Sequence, residues 1–186
     1  MPTLFMLLIG CKPSGRNTEQ HDVYFGIGET VNDLIPELIS FWPEAKGKLH
    51  IDAWRAVTSV DGFAVSVIQK KNLNQLKKAS LFFINLGGYK KDEFEEFHYK
   101  MIVAAVNKGG AIQQSKKTAF YRHTGFEGAT SHIDDKYGID VDDIHEIDDL
   151  LGEESKKQFS IYLDDSTKEL AEDELHLGYF KLSSFQ

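Results

Sequence analysis

Apolar and polar positions alternate along this chain in short blocks, some with a period of two and some with a period near 3.6, the marks of strands and of an amphipathic helix. Leu4–Ile9 is a solid apolar run, as expected for a strand covered on both faces. Gly10-Cys-Lys-Pro-Ser-Gly-Arg-Asn17 follows with turn chemistry, and a second strand is expected over His21–Ile27. Val31, Leu34, Ile35, Leu38 and Trp42 then recur at helical spacing behind a Thr30 cap. Pro36 requires the regular helix to begin late, because an interior proline loses a hydrogen bond and clashes, and Pro43 ends it. Leu49–Val57 alternates again and is expected to turn at Asp61-Gly62 into Phe63–Ile68. Phe159–Leu163 and Leu175–Leu182 read as closing strands.

Much of this order occurs twice. At an offset of 77, Thr3–Gly10 lies over Ser80–Gly87, Glu19 over Glu96, His21 over His98, and Thr30 over Asn107, another good helix cap. Ala111, Ile112, Ser115 and Ala119 repeat the helical spacing. At an offset of 82, His50-Ile51-Asp52 recurs as His132-Ile133-Asp134. Self-similarity at a near-constant offset is the signature of a repeat. The sequence therefore points to an α+β fold of two related halves, each a mostly antiparallel sheet with one packed helix. The expected division is 1–79 for the first repeat, 80–150 for a divergent second one, and 151–186 for strands that complete the second half.

Composition narrows the range of functions. The 186 residues are 41% hydrophobic and 12% aromatic, enough for a real core. The net charge of −8 argues against nucleic acid and against an acidic membrane surface as partner. Sixteen acidic and four basic residues lie between 134 and 174, but Ile139, Val141, Ile144, Ile147 and Leu150 interrupt them as ordered structure would. Cys11, the single cysteine, excludes an internal disulfide and suits a reducing cytosol. The N-terminal apolar run lacks a preceding Lys or Arg and is too short for a secretory signal, so the chain reads as cytoplasmic.

Three Glu-X-His triplets stand out: Glu19/His21, Glu96/His98 and Glu174/His176. In a strand, residues two apart share a face, so each pair sets a carboxylate beside an imidazole. Along Leu49–Val57 the same rule puts His50, Asp52 and Trp54 on one face. Glu19, His21, His50, Asp52 and Trp54 are thus the candidate site of the first half, with Lys12 and Arg16 as anion-binding candidates in the adjoining loop. Glu96, His98, His132 and Asp134 are the second-repeat equivalents. Two imidazoles with two carboxylates suit a divalent transition metal, and equally a carboxylate-oriented histidine acting as acid or base. The same contacts also serve simply to pin strand ends. The acidic run 140–146 lacks the glycine of a calcium loop, and Gly26-Ile-Gly28 lacks the third glycine of a dinucleotide motif.

The sequence resembles bacterial proteins carrying the domain of unknown function 1543, through Leu4–Gly10, Glu19–Glu29 and Leu49-His50-Ile-Asp52-Ala-Trp54-Arg55. The resemblance is good over about the first 65 residues and looser in the second copy, where Asp22, Gly28 and Trp54 have become Tyr99, Ala105 and Lys136. It implies single or paired copies of one domain and brings no activity with it. The leading expectation is a module that binds a small molecule or peptide on the Glu/His/His/Asp/Trp face. The alternatives are a metal-dependent or acid–base enzyme at that face, and an interaction protein that forms a homodimer or larger homo-oligomer.

Overall fold

A computed structural model describes residues 1–70, 78–89, 92–117, 139–165 and 170–185. The fold is α+β. The chain forms two compact units, Met1–Leu76 with Leu150–Gln186, and Lys77–Asp149. Every strand pairing among the described residues is antiparallel.

In unit 1 the apolar run becomes β1 (Thr3–Cys11), one of the two inner strands of a sheet ordered β10-β3-β1-β2, with β2 at Gln20–Gly28, β3 at His50–Ala56 and β10 at His176–Lys181. Phe5, Leu7, Ile9 and Cys11 project from one face of β1 and meet Leu34 and Leu38, both fully buried. Each such aliphatic side chain contributes about 1.5–3 kcal/mol by leaving water. As the prolines require, a 3-10 turn at Val31–Leu34 precedes the regular helix α1 (Ile35–Phe41), and Pro36 occupies its first turn. The Tyr24 hydroxyl donates to Glu37 Oε2 at 2.6 Å, tying β2 to α1. Burial, reinforced by that carboxylate, pushes the phenol far above its ordinary pKa.

Two expectations change here. The Asp61-Gly62 turn is present, with the positive φ values (51° and 83°) that a type I′ hairpin needs. It joins the two-residue β4 (Ser59–Val60) to β5 (Phe63–Gln69), however, and does not fold β5 back on β3. β5 instead pairs over its whole length with β9 (Phe159–Asp165) in a second sheet, β4-β5-β9. The C-terminal strands likewise do not complete the second half. β9 joins β5 and β10 joins β3, so residues 150–186 belong to unit 1. A strand's own alternation encodes a buried face but not the backbone edge that receives it, which is why the partner was not legible.

Unit 2 holds a three-stranded sheet β7-β6-β8, with β6 at Ser80–Tyr89, β7 at Glu96–Ala105 and β8 at Ile139–Glu146. Helix α2 (Lys108–Ser115) is capped by Asn107, whose side chain accepts from the Gly110 N–H at 3.0 Å. Phe82, Ile84, Leu86, Val103 and Ala111 form this unit's core. The 70–78 connection lies largely outside the described residues, as do Ala119, His132 and Asp134. No helix among the described residues is long and apolar enough to cross a membrane.

Candidate functional site

Gly10, near the end of β1, pairs with His21 on β2 and with His50 on β3, so both imidazoles rise from the same face beside it. β3 is irregular at this point. Ile51 pairs with Ile9 and Ala53 with Leu8, which leaves Asp52 as the extra residue of a β-bulge. The bulge turns the Asp52 carboxylate toward the histidines. His50 Nε2 lies 3.3 Å from Asp52 Oδ1 and 3.1 Å from Glu19 Oε1. His21 Nε2 lies 3.3 Å from Asp52 Oδ2 and 3.8 Å from Glu19 Oε2.

Gly10 is what makes room for this convergence. A Cβ at that position would sit 2.6 Å from His50 Nε2 and 2.7 Å from Asp52 Oδ2, closer than real atoms approach. The cluster has an inner and an outer side. His50 is only 3% exposed, whereas the side chains of His21 and Glu19 are 42% and 44% exposed. Among the described residues neither nitrogen of His50 has a hydrogen-bond partner, despite the short approach of two carboxylates to Nε2, and Asp52 Oδ2 has none either. The His50 ring is held by packing, with the Tyr179 ring of β10 4.2 Å away at 30°.

The same bulge corrects the expectation for Trp54. Strict alternation would keep Trp54 beside His50 and Asp52, but the extra residue shifts it to the opposite face, opposite Leu7. There it packs against the Leu7/Ile9/Ile51 core, 6.2 Å from the Phe5 ring, and stacks on His176 at 3.7 Å and 9°. Trp54 therefore does not line the cluster. His176, the third Glu-X-His imidazole, is occupied in that stack and lies 3.9 Å from Glu174. Lys12 and Arg16 are exposed on the β1–β2 turn, and neither pairs with a described acidic residue. Cys11 points into the core, where burial and the nearby Glu19 and Glu44 carboxylates push its thiol up, away from reactivity.

Unit 2 repeats the arrangement. Gly87 pairs with His98 on β7 and with Asp140 on β8, while Val141 pairs with Leu86 and Asp143 with Asn85, leaving Asp142 at the bulge. Asp140 thus holds the register position of His50, Asp142 that of Asp52 and Ile144 that of Trp54, at an offset of 90 from β3 to β8. His98 Nε2 lies 3.3 Å from Asp142 Oδ2 and 3.9 Å from Glu96 Oε2. Asp140 and Asp142 were not among the candidates from sequence. The signal was there: Asp140-Val-Asp142 repeats the spacing of His50-Ile-Asp52, but a longer connection and a changed first residue concealed it. Gly10 and Gly87 fell at matching positions in the repeat and carried a meaning, clearance for a side chain, that only the bulge reveals.

Residues 16–67 match the family model described as Domain of Unknown Function (DUF1543). That span holds all four polar residues of the unit 1 cluster but not Gly10. No curated protein matches the chain. Among solved structures, the crystal structure of a protein Il1583 from Idiomarina loihiensis is similar over 98% of both chains, with a TM-score of 0.61 and 19% identity. At that identity the likeness speaks for the fold.

Proposed function

We propose that the chain binds a divalent transition metal ion through Glu19, His21, His50 and Asp52. The observation that carries this reading is His50: a buried imidazole with no hydrogen bond at either nitrogen, whose Nε2 faces two carboxylates at 3.1 and 3.3 Å. A buried polar group without a partner is costly, and such a group aimed between anionic oxygens is what a cation would satisfy. The spacing agrees. An ion about 2.1 Å from each of four tetrahedral donors holds those donors about 3.4 Å apart. The four nitrogen–oxygen approaches run from 3.1 to 3.8 Å, on that scale, with each imidazole facing a different oxygen of each carboxylate. Two imidazoles and two carboxylates form a neutral assembly with M²⁺, a donor set that suits zinc, iron or manganese.

Trp54 is turned into the core and does not face this cluster, and the open side at His21 and Glu19 is where solvent or a small ligand would reach the ion. We also take the matched registers of β2-β1-β3 and β7-β6-β8 as support for tandem divergent copies of one domain.

The test is the metal content of protein purified without an affinity tag, together with Zn²⁺ titration of the metal-free chain. Near-stoichiometric metal is expected. Affinity should fall by more than about 100-fold in His50→Ala, beyond the 10–100-fold typical of changes outside the ligand sphere. The exposed His21→Ala should lose affinity comparably while keeping the fold. Wild-type protein that binds no Zn²⁺, or His21→Ala that binds it unchanged, overturns the proposal.

A further inference from the structure

We infer that unit 2 carries a second cation site, made by Glu96, His98 and Asp142, with a harder donor set than the first. It deepens the metal reading of unit 1, on which its assignment by register rests. The geometry of the two clusters is nearly superposable in its distances. The exposed imidazole lies 3.3 Å from the bulge aspartate in both units, and 3.8 Å or 3.9 Å from the glutamate two residues before it. One donor atom each from Glu96, His98 and Asp142 falls within 4.8 Å of the other two.

The clearance is also repeated. A Cβ on Gly87 would collide with Asp142 Oδ2 and sit 2.8 Å from its Cγ, as a Cβ on Gly10 would collide with His50 and Asp52. Two sheets thus place a glycine under a bulge aspartate and a Glu-X-His imidazole, an arrangement that strand-end contacts alone do not call for. Asp143 is engaged elsewhere, accepting from Asn85 Nδ2 at 3.3 Å, so Asp142 is the β8 carboxylate that faces His98.

The two sites differ at the position opposite the glycine. Unit 1 has His50 there, and unit 2 has Asp140 in register. The second site offers one imidazole, His98, and two carboxylates, Glu96 and Asp142, with no second histidine in register. Imidazole favours zinc, whereas carboxylate oxygens suit manganese, magnesium and calcium. Zinc still precedes manganese in the general affinity order, so the expected signature is a narrower gap between the two ions at unit 2.

The experiment uses the full-length metal-free chain, Mn²⁺ followed by electron paramagnetic resonance, and Zn²⁺ followed by calorimetry. The variants are Glu19→Gln/His21→Ala, which changes exposed ligands of unit 1, and His98→Ala or Asp142→Asn in unit 2. Wild type is expected to bind two Mn²⁺ equivalents, and each set of variants one. The Zn²⁺-over-Mn²⁺ preference of the site retained in Glu19→Gln/His21→Ala should be at least about tenfold smaller than that of the site retained in His98→Ala, the scale on which ligand environment acts. A single wild-type equivalent untouched by His98→Ala and Asp142→Asn overturns the second site and leaves the first standing. Equal preferences at the two sites overturn the harder donor set, and no ion in any chain overturns both readings.

Discussion

The two units build the same three-stranded device and finish it differently. In each, a central strand carries a glycine, one neighbour supplies Glu-X-His, and the other supplies an aspartate at a bulge. Unit 1 adds a fourth strand, β10, whose Tyr179 lies over His50, and His50 is buried and without hydrogen bonds. In unit 2, β8 is paired with β6 alone among the described residues, and its cluster is open, with side chains 29–43% exposed. The contrast separates scaffold from chemistry. Bulge and glycine set where donors converge, while the residue opposite the glycine and the strand beyond it set how dry and how nitrogen-rich the cluster is.

The contrast breaks most visibly under metal. Zn²⁺ at about a thousand times its Kd should stabilise wild-type protein by about 4 kcal/mol. A chelator should remove that gain, and His50→Ala should lose most of the response to both, keeping only the smaller part that belongs to unit 2, as thermal unfolding would show. His98→Ala should keep the zinc stabilisation, because the zinc-preferring cluster is the one with two imidazoles. Zinc stabilisation that survives His50→Ala and vanishes in His98→Ala would reverse the roles assigned to the units.

Next in size is Trp54→Ala. It opens the core against Phe5 and removes the His176 stack, at a cost of about 2–4 kcal/mol, at or just below the range for a fully buried aromatic. Zinc affinity should hardly change, since Trp54 lies on the far face of β3. A Trp54 variant that loses metal with its stability unchanged would restore the face that strict alternation implies. Gly10→Ala should cost about 1–3 kcal/mol, the usual range for forcing extra volume into a packed site, and should displace His50 and Asp52 together. Gly87→Ala should cost less, because the group in its way is the end of an exposed aspartate. The smallest expectation concerns Cys11. Buried, with its thiol pKa raised, it should resist an alkylating reagent in native protein and react on unfolding. Rapid native labelling would mean that the β1 core face opens readily.

Local physics made a good deal of this legible in advance. The apolar run of β1, the late start of α1 at Pro36 and the Asp61-Gly62 turn each follow from a few adjacent residues, and the structure has all three. Glu19, His21, His50 and Asp52 were also legible, because the spacings of two and the repeated triplet needed only strand geometry to bring them together. What failed was whatever depended on counting through an irregularity or on a distant partner. A single bulge residue reverses every later side chain on the strand, so Trp54 moved from the cluster to the core. The pairing of β10 with β3 spans more than a hundred residues and leaves no local trace, so the Tyr179 cover over His50 was invisible. In the second unit, identical letters align His50-Ile-Asp52 with His132-Ile-Asp134, whereas the ladder aligns it with Asp140-Val-Asp142.

The most direct test of the central claim is the X-ray absorption spectrum of the chain loaded with one equivalent of Zn²⁺. The expected spectrum has four light-atom donors at about 2.0–2.1 Å and the multiple-scattering pattern of two imidazoles. That pattern should fall to one imidazole in His50→Ala and stay at two in His98→Ala. A sphere of oxygens alone in the wild type, or two imidazoles that persist without His50, would contradict the assignment of the ion to Glu19, His21, His50 and Asp52.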